Sequence, residues 1–154
     1  MNIIRDNKIT TWNTVPALMQ MLMDISDDND WSDTSLKNIF MSGDYIPVNL
    51  PDVIRKRIAN GNIVSMGGAT EASIWSNYYN IIEDTGGLNS IPYGYPLENQ
   101  QMYVLDTNLE ICPESVPGDI YIGGEGLARE YLGKLILIMM IQWDCLRISN
   151  LQTE

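Results

Sequence analysis

The sequence predicts an α/β fold with a partly parallel sheet, and three observations favour this class. Between residues 13 and 66, stretches with helical apolar spacing alternate with short β-prone runs. From residue 91 onward the pattern changes to short strands separated by proline and glycine. Helices that alternate with strands are typical of sheets that are at least partly parallel. A chain of 154 residues, 45 % of them hydrophobic, can also bury a core of its own.

The first predicted helix begins at Asn13 or Thr14, either of which can cap it, and holds Pro16 in its first turn. Its apolar residues recur at helical spacing and predict the buried face, which comprises Leu18, Met21, Leu22 and Ile25. We expect this helix to end in the acidic stretch of residues 24–33.

A strand, a second helix and another strand follow. Residues 36–41 are β-prone and are closed by a Ser-Gly-Asp turn. Asn49, with Pro51 and Asp52, predicts the start of the second helix, and an Asn-Gly pair ends it. Its inward side is predicted to hold Val53, Ile54 and Ile58. Residues 63–66 then form a short apolar strand that leads directly into two glycines.

The remaining part looks β-rich. Residues 102–105 and 119–122 are predicted strands, separated by a turn at residues 106–108 and by a Pro-Gly pair before the second strand. We expect this region to form a smaller β-rich annex beside the main sheet.

Charge and rare residue types exclude several classes of function. Nine basic against twenty acidic residues give a net charge of −11, and residues 55–57 form the only basic cluster. Binding to nucleic acid or to an anionic membrane needs grouped Lys and Arg, so we expect neither partner. Because the chain has no histidine, Ser-His-Asp catalysis and His-based zinc sites are excluded. Two distant cysteines without C-x-x-C spacing predict a reducing, cytoplasmic location.

The apolar segments predict no membrane span. No basic, apolar leader opens the sequence, so we expect no signal peptide. The longest apolar run, residues 135–141, is shorter than the roughly 20 residues that a bilayer requires. We interpret it as a buried strand or a helix core.

Residues 67–71, Gly-Gly-Ala-Thr-Glu, carry the clearest chemistry. Glycines directly after a strand let the backbone approach a ligand and expose N–H groups to a phosphate. A threonine hydroxyl beside a glutamate adds a phosphate donor and a hard oxygen ligand suited to Mg²⁺. The alternative is structural, since Thr70 could simply cap a turn of helix at residues 71–73.

Three segments, in order along the chain, resemble the adenylation domains of nonribosomal peptide synthetases. Residues 67–76 are similar to the family segment written Tyr-Gly-Pro-Thr-Glu, in the Gly-Gly-Ala-Thr-Glu form of some cysteine-activating modules. Residues 91–97, with Asn99 and residues 103–106, look like the family's next stretch. Residues 118–132 resemble its Gly-Glu-Leu-x-Ile-x-Gly-x-Gly-x-Ala-Arg-Gly-Tyr motif.

Residues 12–18 and 42–44 also fit this family, so the resemblance runs from about Thr10 to Gly133. It implies a fragment of the large N-terminal subdomain of an adenylate-forming enzyme. It also implies a Mg²⁺-dependent reaction in which ATP and an amino acid give aminoacyl-AMP and pyrophosphate, after which the aminoacyl group passes to a carrier-protein thiol.

The resemblance assigns roles to the glycine-rich segment. Thr70 would contact the α-phosphate as a catalytic residue, and Glu71 would act beside it as the Mg²⁺ ligand. Gly67, Gly68 and Ala69 would border the adenine and the substrate. Gly67 departs from the pattern, because most relatives have an aromatic residue there that stacks on adenine.

The resemblance also implies a pocket for the amino acid. Cysteine-activating relatives have Asn, Leu, Ser, Leu, Ile and Trp at the matching positions, so cysteine is the favoured substrate. The matching residues here, with an adjacent glycine, are Asn13, Phe40, Ser42, Gly43, Met66, Ile74 and Trp75. Taken singly, the apolar members of this set are also compatible with core packing.

The predicted organisation is a partial adenylation domain at residues 1–133, with a strand-helix part at 10–82 and a β-rich part at 91–133. Residues 134–154 match nothing in the family and indicate a frameshift or a premature end. We expect the chain to be inactive alone. Two alternatives stay open, a noncatalytic remnant that binds a partner through apolar surface and a part of an acyl- or aryl-acid-CoA ligase.

Overall fold

The computed structural model describes residues 2–82, 85, 87–130 and 141–143. The chain divides into two compact units, Met1–Ser65 with Asn80–Ile91 and Met66–Tyr79 with Pro92–Glu154. The predicted bounds of the strand-helix part (residues 10–82) and of the β-rich part (residues 91–133) stay a prediction.

In chain order the elements are α1 Asn2–Asp6, β1 Thr11–Thr14, α2 Pro16–Ile25, a 3₁₀ turn Asp28–Trp31, β2 Asn38–Ser42, α3 Leu50–Arg57, β3 Asn62–Gly67, a 3₁₀ turn Thr70–Ala72, β4 Asn77–Ile81, β5 Tyr95–Pro96, β6 Gln100–Leu105, β7 Asp119–Gly124 and β8 Ile141–Trp143.

The strands confirm the predicted α/β class. In the five-stranded sheet the strand order is β1-β2-β3-β4-β5. β1 runs parallel to β2, with Thr11 opposite Asn38 and Thr14 opposite Met41. β5 is antiparallel to β4. The sheet is therefore partly parallel, as the alternation of helices and strands predicts.

The buried face of α2 differs from the prediction. Pro16, Met19 and Met23 are buried, whereas Leu18, Met21 and Ile25 are 56 %, 56 % and 77 % exposed. The helix is apolar on two faces, so helical spacing alone could not identify the face that packs. The predicted caps were also wrong. Val15 is the N-cap without a side-chain hydrogen bond, and residues 13 and 14 belong to β1.

α3 follows the prediction more closely. It begins after Asn49 and buries Leu50, Pro51 and Ile54. The basic cluster lies in its last turn, where the helix dipole favours positive charge. Arg55 donates a hydrogen bond to Asp52 at 2.9 Å, and Arg57 donates to Asp28 at 2.8 Å. Both arginines also donate to backbone carbonyls, those of Ile81 and Met23 respectively. Arg55 and Arg57 therefore make these contacts within the first unit.

The second unit contains the predicted β-rich region. β6 and β7 pair antiparallel from Gln100 opposite Gly124 to Leu105 opposite Asp119, and β8 pairs antiparallel with β7. Ala69, Ala72, Ile120 and Ile122 form a buried cluster against which three half-buried side chains pack, those of Tyr93, Met102 and Leu127.

The predicted turn after β6 is present. The Asp106 carboxylate accepts hydrogen bonds from the backbone N–H groups of Glu110 at 2.9 Å and Asn108 at 2.8 Å. These two bonds lower the pKa of Asp106 below its usual value. The contribution of this charge to stability is therefore present at neutral pH and is lost as the pH falls through the lowered pKa.

Two further expectations concern apolar segments. Within the described ranges, no helix is long and apolar enough to cross a membrane. Residues 135–140 of the predicted apolar strand or helix lie outside the described residues, and β8 begins at Ile141.

Candidate functional site

The glycine-rich segment doubles back on itself after β3. The carbonyl of Gly67 accepts a hydrogen bond from the N–H of Ser76 at 2.7 Å, which closes the base of the loop. Inside the loop, the carbonyl of Ala69 accepts from the N–H groups of Ala72 and Ile74, both at 2.9 Å. Hydrogen bonds within its own backbone therefore hold the loop and position the 3₁₀ turn Thr70–Ala72 at its tip.

Thr70 and Glu71 lie on this turn. Thr70 is exposed and Glu71 is half-buried, so neither lies in a packed interior. The cap of the turn is Ala69, which makes no side-chain hydrogen bond. The structural alternative for Thr70 as a helix cap is therefore wrong. The Ala69 side chain is buried in the core, so the ligand contact predicted for this residue would have to come from its backbone.

The chain leaves the turn in a strained conformation. Ser73 and Ile74 have φ values of 62° and 69°, in the left-handed region. This region is unfavourable for a β-branched residue, and such strain is found preferentially at functional sites. The Ile74 side chain is 66 % exposed, and Trp75 is half-buried. Ile74, which the sequence analysis places in the pocket, is therefore not packed in the core.

A second segment of the same unit holds the turn. The hydroxyl of Ser73 donates a hydrogen bond to the carbonyl of Gly126 at 2.7 Å. The N–H of Ala128 donates to the carbonyl of Glu71 at 2.6 Å. The role of Ser73 could not be predicted from the sequence, because serine carries no specific signal for a left-handed backbone or for a partner so far along the chain.

Another part of the predicted site lies on β1 and β2 in the first unit. The parallel register places Asn13 opposite Phe40. Ser42 lies two residues beyond Phe40, and both are half-buried, whereas Ile39 and Met41 on the other face are buried. Since alternate strand residues share a face, Asn13, Phe40 and Ser42 belong to one face of the sheet, and Phe40 is not a core residue.

Gly43 follows directly after β2. It is exposed, with a φ of 83°. Met66 is half-buried near the end of β3. Neither residue is buried in the core.

The donor set fits a magnesium ion bound together with phosphate. In the part of the chain that the structure describes, no three His, Cys, Asp or Glu side chains gather into a metal-binding group. Mg²⁺ usually takes only one or two protein carboxylates and completes its shell with water and substrate phosphate. Glu71, next to an exposed hydroxyl and two glycines, provides one such carboxylate.

The comparisons with known proteins identify the family. The family described as AMP-binding enzyme matches residues 1–132. The chain belongs to this family. Among AMP-binding enzymes, bacitracin synthase 1 of Bacillus licheniformis is 49 % identical over 125 residues, which cover 81 % of this chain and 2 % of that protein. Pyochelin synthetase PchF of Pseudomonas aeruginosa is 42 % identical over 132 residues, which cover 85 % of this chain and 7 % of the relative.

Two solved structures agree with this chain in fold. The nonribosomal peptide synthetase FmoA3 is 33 % identical with a TM-score of 0.78, over 86 % of this chain and 14 % of that one. The N-terminal subdomain of NpsA from Klebsiella oxytoca, at 22 % identity, has a TM-score of 0.74. The chain is thus part of a nonribosomal peptide synthetase adenylation domain, and it spans only 2–14 % of the length of the three synthetases.

Proposed function

We propose that this chain carries part of the ATP site and part of the amino-acid site of a domain that forms aminoacyl-AMP. The observation that carries the proposal is the Thr70–Ala72 turn, which presents a hydroxyl and a carboxylate after two glycines at the end of β3. FmoA3 has been solved with AMPPNP and with α-methyl-L-serine-AMP bound, which supports an adenylate-forming site in relatives of this kind. The amino-acid adenylate bound by FmoA3 favours an amino-acid substrate over an acyl or aryl acid.

The residues of the turn would act by position and charge. Attack of the amino-acid carboxylate on the α-phosphate, which expels pyrophosphate, brings two anions together, so donors held in advance lower the barrier. The Thr70 hydroxyl would donate to the α-phosphate, and Gly67 and Gly68 would border the nucleotide through backbone groups, because neighbouring protein atoms fill the space that side chains at these two positions would need. Glu71 would bind Mg²⁺, which when present neutralises phosphate charge.

The amino-acid pocket is proposed to prefer cysteine. Asn13, Phe40 and Ser42 share one face of the sheet and combine a polar amide, an apolar ring and a small hydroxyl. Met66, Ile74 and Trp75, which belong to the second unit, are the other residues that the resemblance assigns to the substrate, and they are mainly apolar. A small, moderately apolar side chain fits this chemistry. Discrimination against a substrate one methylene larger would be about 1–3 kcal/mol.

The acceptor of the aminoacyl group is proposed to be the phosphopantetheine thiol of a carrier domain. A structurally similar protein, PA1221, contains adenylation and PCP domains, which supports this partner. We also propose that the chain binds nucleotide but does not complete the reaction alone, since it corresponds to only 14 % of FmoA3.

The test is the affinity of the full chain for ATP, measured by titration calorimetry with Mg²⁺ and with EDTA. Glu71→Gln is expected to abolish most of the gain in affinity that Mg²⁺ gives the native chain. Thr70→Ala is expected to weaken Mg²⁺-ATP binding by about tenfold, because a hydrogen bond to a charged group is lost. Thr70→Ser keeps the hydroxyl and should bind like the native chain.

Glu98→Gln, an exposed change in the same unit, serves as the control for Glu71→Gln. The proposal is wrong if the native chain shows no saturable ATP binding, or if Glu71→Gln retains the full effect of Mg²⁺. Pyrophosphate exchange with cysteine should not exceed that of a Glu71→Ala control. Exchange above that level would contradict inactivity of the chain alone.

A second candidate function is association through α2, in a remnant without catalysis. The exposed face of α2 holds Leu18, Met21 and Ile25, and a helix that is apolar on two faces is usually covered on both. This face would bind a second copy of the chain.

Light scattering after size exclusion distinguishes this candidate. Concentration-dependent dimers are expected for the native chain, and Ile25→Lys should restore the monomer. Ile82→Lys changes an equally exposed isoleucine of the same unit outside α2 and should leave the dimer intact. A native chain that stays monomeric at all concentrations excludes the candidate.

A further inference from the structure

The space beside Gly67 is already filled. A Cβ atom built on Gly67 would lie 2.6 Å from Oδ1 of Asn77, and 2.7 Å and 2.9 Å from Cε2 and Cζ of Tyr93. Real Cβ atoms essentially never come closer than 3.0 Å to such neighbours. The Tyr93 ring therefore occupies volume that a side chain at position 67 would need.

The backbone fixes Tyr93 in this place. The side-chain amide of Asn77 is fully buried and donates a hydrogen bond to the carbonyl of Tyr93. Two residues further on, Tyr95 pairs with Tyr78 of β4. This hydrogen bond and this strand pairing thus hold the backbone of Tyr93 beside β4, while the ring lies against Gly67 at the end of β3.

One end of the Tyr93 ring is buried. The hydroxyl oxygen of Tyr93 is buried, and the side chain packs against the cluster that contains Ala69 and Ala72. The residue as a whole is half-buried, so part of it stays accessible to solvent. An aromatic ring held in this way has little conformational entropy to lose when a flat ligand stacks on it.

We infer that Tyr93 supplies the aromatic surface on which the base of a nucleotide stacks at the glycine-rich loop. The inference rests on the proposed function, because it needs a nucleotide whose phosphates lie at Thr70 and Glu71. It also accounts for Gly67, which stands where similar adenylation domains have an aromatic residue. Here the ring comes from the segment before β5, and the residue at the end of β3 has no side chain because the ring takes its space.

The experiment compares two probes on the full chain, Mg²⁺-ATP and Mg²⁺-tripolyphosphate, which has no base. Tyr93→Leu is expected to weaken ATP binding by about tenfold, since base stacking on one aromatic side chain commonly contributes this much or more. Tripolyphosphate binding should be unchanged. Tyr93→Phe keeps the ring and should bind ATP within about twofold of the native chain. Tyr95→Leu, at an exposed tyrosine of the same segment, is the matched control.

Because Tyr93 also packs against the core, Tyr93→Leu changes the packing as well as the ring. A second measurement therefore uses the native chain. In native chain with ¹³C-labelled tyrosine, ATP should shift the ring resonances of Tyr93, assigned through Tyr93→Phe, and tripolyphosphate should leave them in place. Ring resonances that do not respond to ATP overturn the inference, as does a folded Tyr93→Leu variant with native ATP affinity. Equal losses for both probes indicate a structural role only and overturn it too. A native chain that binds tripolyphosphate but not ATP, or neither, overturns the proposed function and the inference with it.

Discussion

Gly68→Ala is expected to lower the free energy of unfolding of the chain by roughly 2–4 kcal/mol. Gly68 has a φ of 147°, which side chains rarely adopt. A Cβ atom there would lie 2.5 Å from the backbone nitrogen of Ser76 and 2.6 Å from the carbonyl oxygen of Ile74. Both atoms are backbone, so no rotamer change can relieve the clash. Urea unfolding followed by circular dichroism measures the effect.

Gly87→Ala is the control for this substitution. A Cβ atom at Gly87 would meet no atom within 4 Å, so this variant should stay close to native stability. If Gly68→Ala unfolds at the same urea concentration as Gly87→Ala, the loop does not have the conformation described. The clash lies beside the Ser76 to Gly67 hydrogen bond, so a folded Gly68→Ala variant should also bind Mg²⁺-ATP more weakly.

Trp31→Ala is expected to destabilise the chain by about 3–5 kcal/mol. Trp31 is 1 % exposed, and its indole Nε1 donates a hydrogen bond to Ser26 Oγ at 2.9 Å. Ser26 in turn donates to the carbonyl of Leu22 at 2.7 Å, which ties the end of α2 to the following 3₁₀ turn. The substitution therefore leaves a large cavity and removes the donor to a buried hydroxyl.

A double-mutant cycle separates these two losses. Trp31→Phe keeps most of the ring volume and loses the hydrogen bond, so it should cost less than Trp31→Ala, by urea unfolding with circular dichroism. Ser26→Ala should cost about 1 kcal/mol in the native chain and less in the Trp31→Phe variant. Full additivity of the two substitutions would contradict the energetic role of this hydrogen bond.

The sequence predicted the elements whose signals are local. α3 has a proline in its first turn and basic residues in its last, and β3 is a short apolar run before two glycines, so both could be placed within about two residues. β1 was not predicted, because two of its four residues, Asn13 and Thr14, are also of the types that cap helices. The orientation of α2 could not be predicted either, since its two apolar faces have the same spacing and only tertiary packing distinguishes them.

The candidate site was predictable as a set of residues but not as a geometry. Thr70 and Glu71 follow from the motif, and both lie on a turn outside the packed core, Thr70 exposed and Glu71 half-buried. The left-handed pair at Ser73 and Ile74 has no sequence signal, because neither residue type favours positive φ. The contact of Tyr93 with Gly67 depends on pairing between β4 and β5. β5 consists of only two exposed residues, Tyr95 and Pro96, and so short a strand gives no signal in the sequence.

The positive φ of Ile74 decides which substitutions the backbone favours at this position. Asparagine and glycine tolerate this backbone, so replacing Ile74 by either would relieve strain. Valine or threonine would keep the strain. Engineering of the proposed amino-acid pocket at residue 74 would therefore gain stability with asparagine or glycine, whereas exchange among branched aliphatic residues gains nothing from the backbone.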